Sequence, residues 1–299
     1  MTFITRNSIH CTYSVAVLAI IALQPQTATA ATLSNGWNYA IDSFSDGVTG
    51  DKIGGGEFEF YGIAIKETSD TAFIAINSNL SLAGYADPLA QRGNINYGDL
   101  FFNFSGQNFK TANANGSLFG IRFAGGNDSS VATTGVYSNV TAKNVSQINS
   151  GFTNISQFND RVLSAGGTPS MGDLAATDPY FEQTGNLTVL NSIATGTKVG
   201  EINLLTPATL SVLGLNFAQF NAVGSQTIGF SFNKSSMPSG NYIANFFAEC
   251  ANDAIAIKGS FEQGSAEPVP EPATIFGTLA GFGILGIGGA KRKIKRKIA

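Results

Sequence analysis

Apolar and polar residues alternate through most of the chain between Leu33 and Gly264, the pattern of half-buried strands. Phe58, Phe60, Gly62, Ala64 and Lys66 fall on one side, and Glu57, Glu59, Tyr61, Ile63 and Ile65 on the other. The turn-forming Glu67-Thr68-Ser69-Asp70 then leads into Thr71-Ala72-Phe73-Ile74-Ala75-Ile76, so this pair predicts a hairpin. Further short strands are expected over 100–104, 118–123, 135–141, 187–191, 199–205, 227–232, 242–248 and 254–261, bounded by Gly, Asn, Asp or Ser. Ile148, Phe152, Ile155, Phe158 and Val162 break the rhythm: their spacings of 4, 3, 3 and 4 predict a helix, closed by Gly166-Gly167. A shorter helix or helical turn is expected over 208–220. Together these elements predict a mainly β domain, an antiparallel β-sandwich or jelly-roll-like fold with one sizeable helix.

Both ends follow a different pattern. Arg6 is the only charge ahead of a continuous apolar run over 15–23, and Ala28-Thr29-Ala30 follows a short polar stretch. Small residues at Ala28 and Ala30 suit signal peptidase, so residues 1–30 are expected to be a cleaved leader. A nine-residue apolar run is too short to span a bilayer. The exported domain then occupies 31–264, with no long linker or charge block to divide it. Residues 265–272 hold three prolines and form a stiff stalk. Residues 273–290 carry no charge and would reach about 27 Å as a helix, enough for a bilayer core. The basic tail 291–299 contains Lys291, Arg292, Lys293, Lys295, Arg296 and Lys297, which places it on the cytoplasmic side. The adjoining apolar run assigns these charges to a membrane anchor, not to nucleic acid.

The order Val269-Pro270-Glu271-Pro272-Ala273-Thr274, apolar helix and basic cluster resembles the PEP-CTERM sorting signal of Gram-negative bacteria. The resemblance implies recognition by an exosortase, cleavage near Pro270-Glu271-Pro272, and transfer to the cell surface or extracellular matrix. The body is similar in outline to cyanobacterial surface proteins of the same type, through the run Phe58 to Ile65, the strand Ala72 to Asn77, and Gly98-Asp99-Leu100-Phe101-Phe102-Asn103. The order of hairpin, loop and Gly-Asp-strand is also similar to carbohydrate-binding sandwich domains.

Composition narrows the chemistry. Only 12% of the 299 residues are charged, yet 43% are hydrophobic, which excludes intrinsic disorder and a coiled coil. Of 17 basic residues, Arg6 leaves with the leader and six sit in the tail, so the exported region is acidic, near −10. His10 is the only histidine, and Cys11 also lies in the leader. The mature chain therefore lacks imidazole catalysis, His-ligated zinc and an intrachain disulfide. Neither a GxSxG elbow nor a phosphate-binding GxxxxGK[ST] loop is present. Cys250, among small and apolar neighbours, reads as a buried small hydrophobe.

Carboxylates remain the only candidate acids and bases. Glu57 and Glu59 share one strand face, so they read as a solvated edge, not as opposed catalytic groups. Asp42, Asp46 and Asp51 lie in one Ser/Gly-rich loop and offer oxygen ligands to calcium, but their spacings of 4 and 5 match no calcium loop, and turn formation is the simpler reading. Nine Asn-x-Ser/Thr sequons reflect a body rich in those residues. No catalytic, cofactor or metal residue is assigned. The expected function is a structural or adhesive surface protein associated with extracellular polysaccharide, processed by signal peptidase and exosortase. The alternative is a secreted glycan hydrolase using two carboxylates.

Overall fold

The computed structural model describes residues 32–181 and 187–262. The leader, stalk, apolar segment and basic tail expected from the sequence lie outside these residues. Among the described residues no helix is long and apolar enough to cross a membrane.

The fold is mainly β, with two six-stranded antiparallel sheets. The chain lays down β1 (Thr32–Ser34), β2 (Trp37–Ile41), β3 (Phe60–Glu67) and β4 (Thr71–Ser78) as a meander in the first sheet. It then builds β5 (Leu100–Asn103), β6 (Leu118–Arg122), β7 (Gly135–Lys143) and β8 (Ser192–Gly200) in the second. β9 (Ile202–Leu205) and β10 (Gln226–Asn233) return to the first sheet, and β11 (Gly240–Phe247) and β12 (Ala254–Phe261) complete the second. The spatial orders are β1-β2-β3-β4-β10-β9 and β8-β7-β6-β5-β11-β12.

One core takes residues from both sheets: Phe60, Ile63, Ile74 and Phe230 from the first, and Phe102, Ile121, Phe246 and Ile257 from the second. Rings lock it, with Phe60 4.8 Å from Phe246 and Phe123 stacked 5.2 Å from Phe230. The outer faces are partly covered too. On the first sheet, Trp37, Tyr39 and Ala75 pack with Leu210 of α3 (Pro207–Val212) and with Phe217. On the second, Phe101, Leu118, Val140 and Phe247 cluster with Phe109 of α1 (Phe109–Ala114) and with Ile155 of α2 (Ile155–Ser164). Strands covered on both faces lose strict alternation, which is why all four residues of β5 are buried.

Several elements differ from the sequence expectation for local reasons. A bulge between Phe60 and Gly62 resets the predicted hairpin, so Phe60 shares the core with Ile63 and Ile65. Residue 59 precedes the strand, and Glu59 is buried, not at a solvated edge. The 148–162 helix shortens to α2, with a separate 3₁₀ turn over Gln147–Asn149. Ser150 adopts φ of 57°, and a Cβ at Gly151 would meet the Cys250 carbonyl oxygen at 1.7 Å, so the chain must turn here before Asn154 caps α2 by accepting from Gln157 N–H. The 187–191 segment is not a strand; the 199–205 strand divides at Glu201 between β8 and β9, one in each sheet. The helix expected over 208–220 divides into α3 and a 3₁₀ turn at Phe217–Phe220, around Gly214 at φ 82°. α1 and the two N-terminal strands were not anticipated.

Because Phe246 touches the rings of both sheets, Phe246→Ala should destabilise the full chain by about 3–5 kcal/mol in urea unfolding. The exposed Leu204→Ala should stay within about 0.5 kcal/mol of the parent. Equal effects at both positions would contradict a core centred on these rings.

Candidate functional site

Four buried carboxylates meet where the first sheet's loops reach the β11–β12 turn. Asp42 follows β2, Asp46 lies four residues on, Glu59 precedes β3, and Asp253 immediately precedes β12. One side-chain oxygen from each of Asp42, Asp46 and Asp253 lies within 4.8 Å of the others. Main-chain and hydroxyl donors hold the groups in place. Asp42 Oδ1 accepts from Ser43 N–H at 3.0 Å, Gly172 N–H at 3.1 Å and Ser170 Oγ at 2.5 Å. Asp46 Oδ2 accepts from Ser170 N–H at 2.7 Å. Glu59 Oε2 accepts from Gly47 N–H at 3.0 Å and Gly55 N–H at 2.9 Å. Asp253 accepts from Phe60 N–H and Ala254 N–H, each at 2.7 Å. Gly47 has no alternative here, because a Cβ would stand 2.6 Å from Glu59 Cα.

Asp42, Asp46 and Glu59 thus each have a fixed oxygen, but Asp42 Oδ2, Asp46 Oδ1 and Glu59 Oε1 are buried and accept no hydrogen bond. None of the four acids joins an ion pair found among the described residues. Lys52 is the one cation acting on Glu59, and its Nζ donates to Gly55 O on the exposed rim. Desolvation therefore dominates the electrostatics. It pushes Asp42 up to about 7, Glu59 to about 7 and Asp46 to about 10; the neighbouring charge of Asp42 adds to the last. Asp253 is raised strongly, by burial first and then by the charges of Asp46, Asp42 and Glu59.

A second buried acid network is balanced differently. Asp99 accepts from Asn127 Nδ2 at 2.8 Å and Ile193 N–H at 2.6 Å, while Arg122 donates to Asn127 Oδ1 at 2.9 Å. Asp128 pairs with Arg92 at 2.8 Å. Glu249 accepts from Asn96 N–H at 2.8 Å and from Asp128 N–H, and burial pushes it up to about 7. This network ties loops together with guanidinium groups at hand. The 42–59 cluster, all oxygen donors with no histidine or thiolate, is the arrangement able to hold a hard cation.

A groove of about 770 Å³ beside β5, β11 and β12 is lined by Asn103, Gln107, Asn108, Asp178, Asn241 and Lys258, together with Tyr180, Tyr242 and Ile243. Gln107 and Asn241 are exposed. Its lining is mainly apolar; Asn103 and Asn108 already bond within the fold, and Gln107, Asn241 and Lys258 add polar groups to it.

Of the loop aspartates singled out in the sequence, the structure brings Asp42 and Asp46 together and leaves Asp51 out. Asp51 is exposed and faces Arg161 at 3.6 Å. Glu57 is exposed as well. Asp253 was missed because it lies some two hundred residues from its partners, and only the fold joins them. Cys250 is a buried free thiol. Three sequon asparagines, Asn103, Asn127 and Asn154, are buried and hydrogen-bonded. Ala28, Ala30, Val269 to Ala273 and the basic tail lie outside the described residues.

The raised acids set the sign of the pH dependence. Below about pH 4 both folded and unfolded chains hold these protons, and the stability tied to them is complete. As pH rises the unfolded chain releases protons first, so that stability is lost through the folded-state values near 7. In chelating buffer, the melting temperature of the full chain should fall between about pH 5 and about pH 8, and Asp46→Asn should flatten that slope. A melting temperature rising over the same range would contradict this assignment.

Residues 268–293 match the family model of the PEP-CTERM protein-sorting motif. No curated protein and no solved structure matches the chain. The matched segment contains Pro270-Glu271-Pro272 and the start of the basic tail. The chain therefore carries, beyond its described β domain, the signal of an exported protein that an exosortase sorts through a transient membrane-anchored stage.

Proposed function

We propose that this chain is a structural or adhesive surface protein, delivered to the cell surface or extracellular matrix and associated there with exopolysaccharide. The observation that carries the reading is the sorting motif over 268–293, which follows the last described strand directly in sequence. Signal peptidase removes residues 1–30 after Ala30, and the exosortase acts near Pro270-Glu271-Pro272 while residues 273–290 hold the membrane. The producing organism is a Gram-negative bacterium, and the outline resemblance of the body points to a cyanobacterium.

The body's association with polysaccharide is supported by the groove, whose mainly apolar lining suits sugar C–H faces and where Gln107, Asn241 and Lys258 offer donors and acceptors to hydroxyls. Its two sheets around one core are read as a sandwich that presents this surface rigidly. The hydrolase alternative needs two carboxylates facing an accessible substrate across about 5–10 Å. Asp178 is the single carboxylate among the described residues lining the groove, and the clustered acids are buried. No observation favours that second reading.

Replacing Pro270 and Glu271 with Ala should leave the full chain in the membrane fraction at its precursor mass after leader cleavage; unchanged release would refute sorting through this motif. On a column of the producer's own matrix polysaccharide, the double variant Gln107→Ala, Asn241→Ala should bind about tenfold more weakly, with unchanged circular dichroism. Unaltered retention would remove the groove from the interaction, and absence of any retention of the parent chain would remove the polysaccharide.

A further inference from the structure

The cluster formed by Asp42, Asp46, Glu59 and Asp253 lies where distant parts of the chain meet, beside the paired hydrogen bonds of Val48 with Asn252 and the bridge of Gly172 to Ala256. Asp42 and Asp46 both bind Ser170, which lies in the short strand Ser170–Met171. Asp253 binds the first amide of β3 from the opposite sheet. Glu59 receives two amides of the 47–55 loop. Three of these carboxylates keep one oxygen fixed and a second buried oxygen without a hydrogen-bond donor, although Asp46 and Glu59 are fully buried. Such an arrangement is costly, since a buried acceptor left unpaired loses its hydration without return. Glu59 lies outside the close aspartate trio, yet its charge acts on all three of them. Its buried oxygen lacks a donor just as those of Asp42 and Asp46 do, a shared deficit that a positive ligand would meet.

We propose that Asp42, Asp46, Glu59 and Asp253 form a calcium site that fastens the 42–59 loops of the first sheet to the β11–β12 turn of the second. Calcium takes six to eight oxygen ligands at about 2.3–2.6 Å, with carboxylates binding through one or both oxygens. Ligands on opposite sides of such an ion stand about 4.8 Å apart, so a trio of oxygens all within 4.8 Å can surround it with little rearrangement. Magnesium requires a tighter octahedron, near 2.0–2.1 Å, and retains several waters, which suits a buried all-carboxylate site less well. The donors already in place divide the work: amides and Ser170 orient one oxygen each of Asp42, Asp46 and Glu59 and leave the other free for the ion, while each oxygen of Asp253 accepts one amide and keeps a second lone pair for it. Lys52 donates to Gly55 O and makes no ion pair with any of the four acids. The site lies apart from the polysaccharide groove and shares no lining residue with it. The assignment therefore stands on its own geometry, whatever the glycan reading proves to be.

Calorimetric titration of the purified full chain, stripped with chelator and then dialysed, tests the assignment with calcium chloride alone. One ion per chain should bind, with a dissociation constant of about 10⁻⁴ M or tighter. One millimolar calcium should raise the melting temperature by several degrees, and magnesium at the same concentration should raise it less. Asp46→Asn and Asp253→Asn should each weaken calcium binding at least tenfold, whereas Asp51→Asn, at an exposed position of the same loop, should leave it unchanged. If the cluster variants fail to fold, the stoichiometry of the parent chain and the Asp51→Asn control still decide. Absence of calcium binding to the parent chain, or equal weakening by Asp51→Asn, would overturn the site; the acids would then be held together by protons alone.

Discussion

Two sheets can share a core only where the chain passes between them without leaving main-chain amides and carbonyls stranded away from water. This chain passes between its sheets after β4, between β8 and β9, and after β10, and its loops fold back over the sheet ends. Carboxylates meet much of the requirement. Glu249 accepts from Asn96 and Asp128 amides, Asp99 from Ile193, Asp253 from Phe60, and Asp173 from Lys258. A carboxylate accepts several amides at once, and such bonds are stronger than neutral ones. A chain with few charges can therefore use them economically, inside the fold as well as on its surface.

That placement changes the meaning of the composition. The excess of acid over base in the exported region suggests an acidic exterior, yet eight acids among the described residues are buried: Asp42, Asp46, Glu59, Asp99, Asp128, Asp173, Glu249 and Asp253. Much of the acid therefore lies in the interior, and the exterior is less acidic than the composition suggests. Such a surface is less suited to electrostatic capture of a cationic partner.

Local patterns in the sequence were legible wherever structure was set locally. β12 spans the expected 254–261, and the β3–β4 hairpin forms around the expected turn, since alternation and turn residues act within a few positions. The failures arise where distant contacts decide. A helix period runs from Ile148, but Gly151 must lie against the Cys250 carbonyl, so the helix begins only after its cap at Asn154. Glu59 alternates like a surface residue, but the bulge at Phe60 and the amides of Gly47 and Gly55 draw it inward. Two of the four clustered acids were visible as loop aspartates. Asp253 could not be joined to them, because no spacing rule spans that separation.

The two buried acid networks differ in how their charge is met, and the difference bears on where the domain works. Around Asp99 and Asp128, Arg122 and Arg92 supply fixed positive charge, and planar guanidinium donors match the acceptors around them. Around Asp42, Asp46, Glu59 and Asp253 the donors are amides and one hydroxyl, which leave one oxygen each of Asp42, Asp46 and Glu59 without a donor. The remaining oxygens need a mobile positive species, either protons or a metal ion. Protons would make the junction between the sheets weaken at neutral pH; a metal ion would make it depend on the medium. Small exported domains often obtain such a junction from disulfides, but Cys250 is a buried free thiol and the one cysteine among the described residues. A site of modest calcium affinity supplies the same constraint without a second cysteine, and extracellular modules commonly operate in that affinity range. The carboxylates that close the fold thereby become the part of it that senses the medium into which the sorting motif sends it.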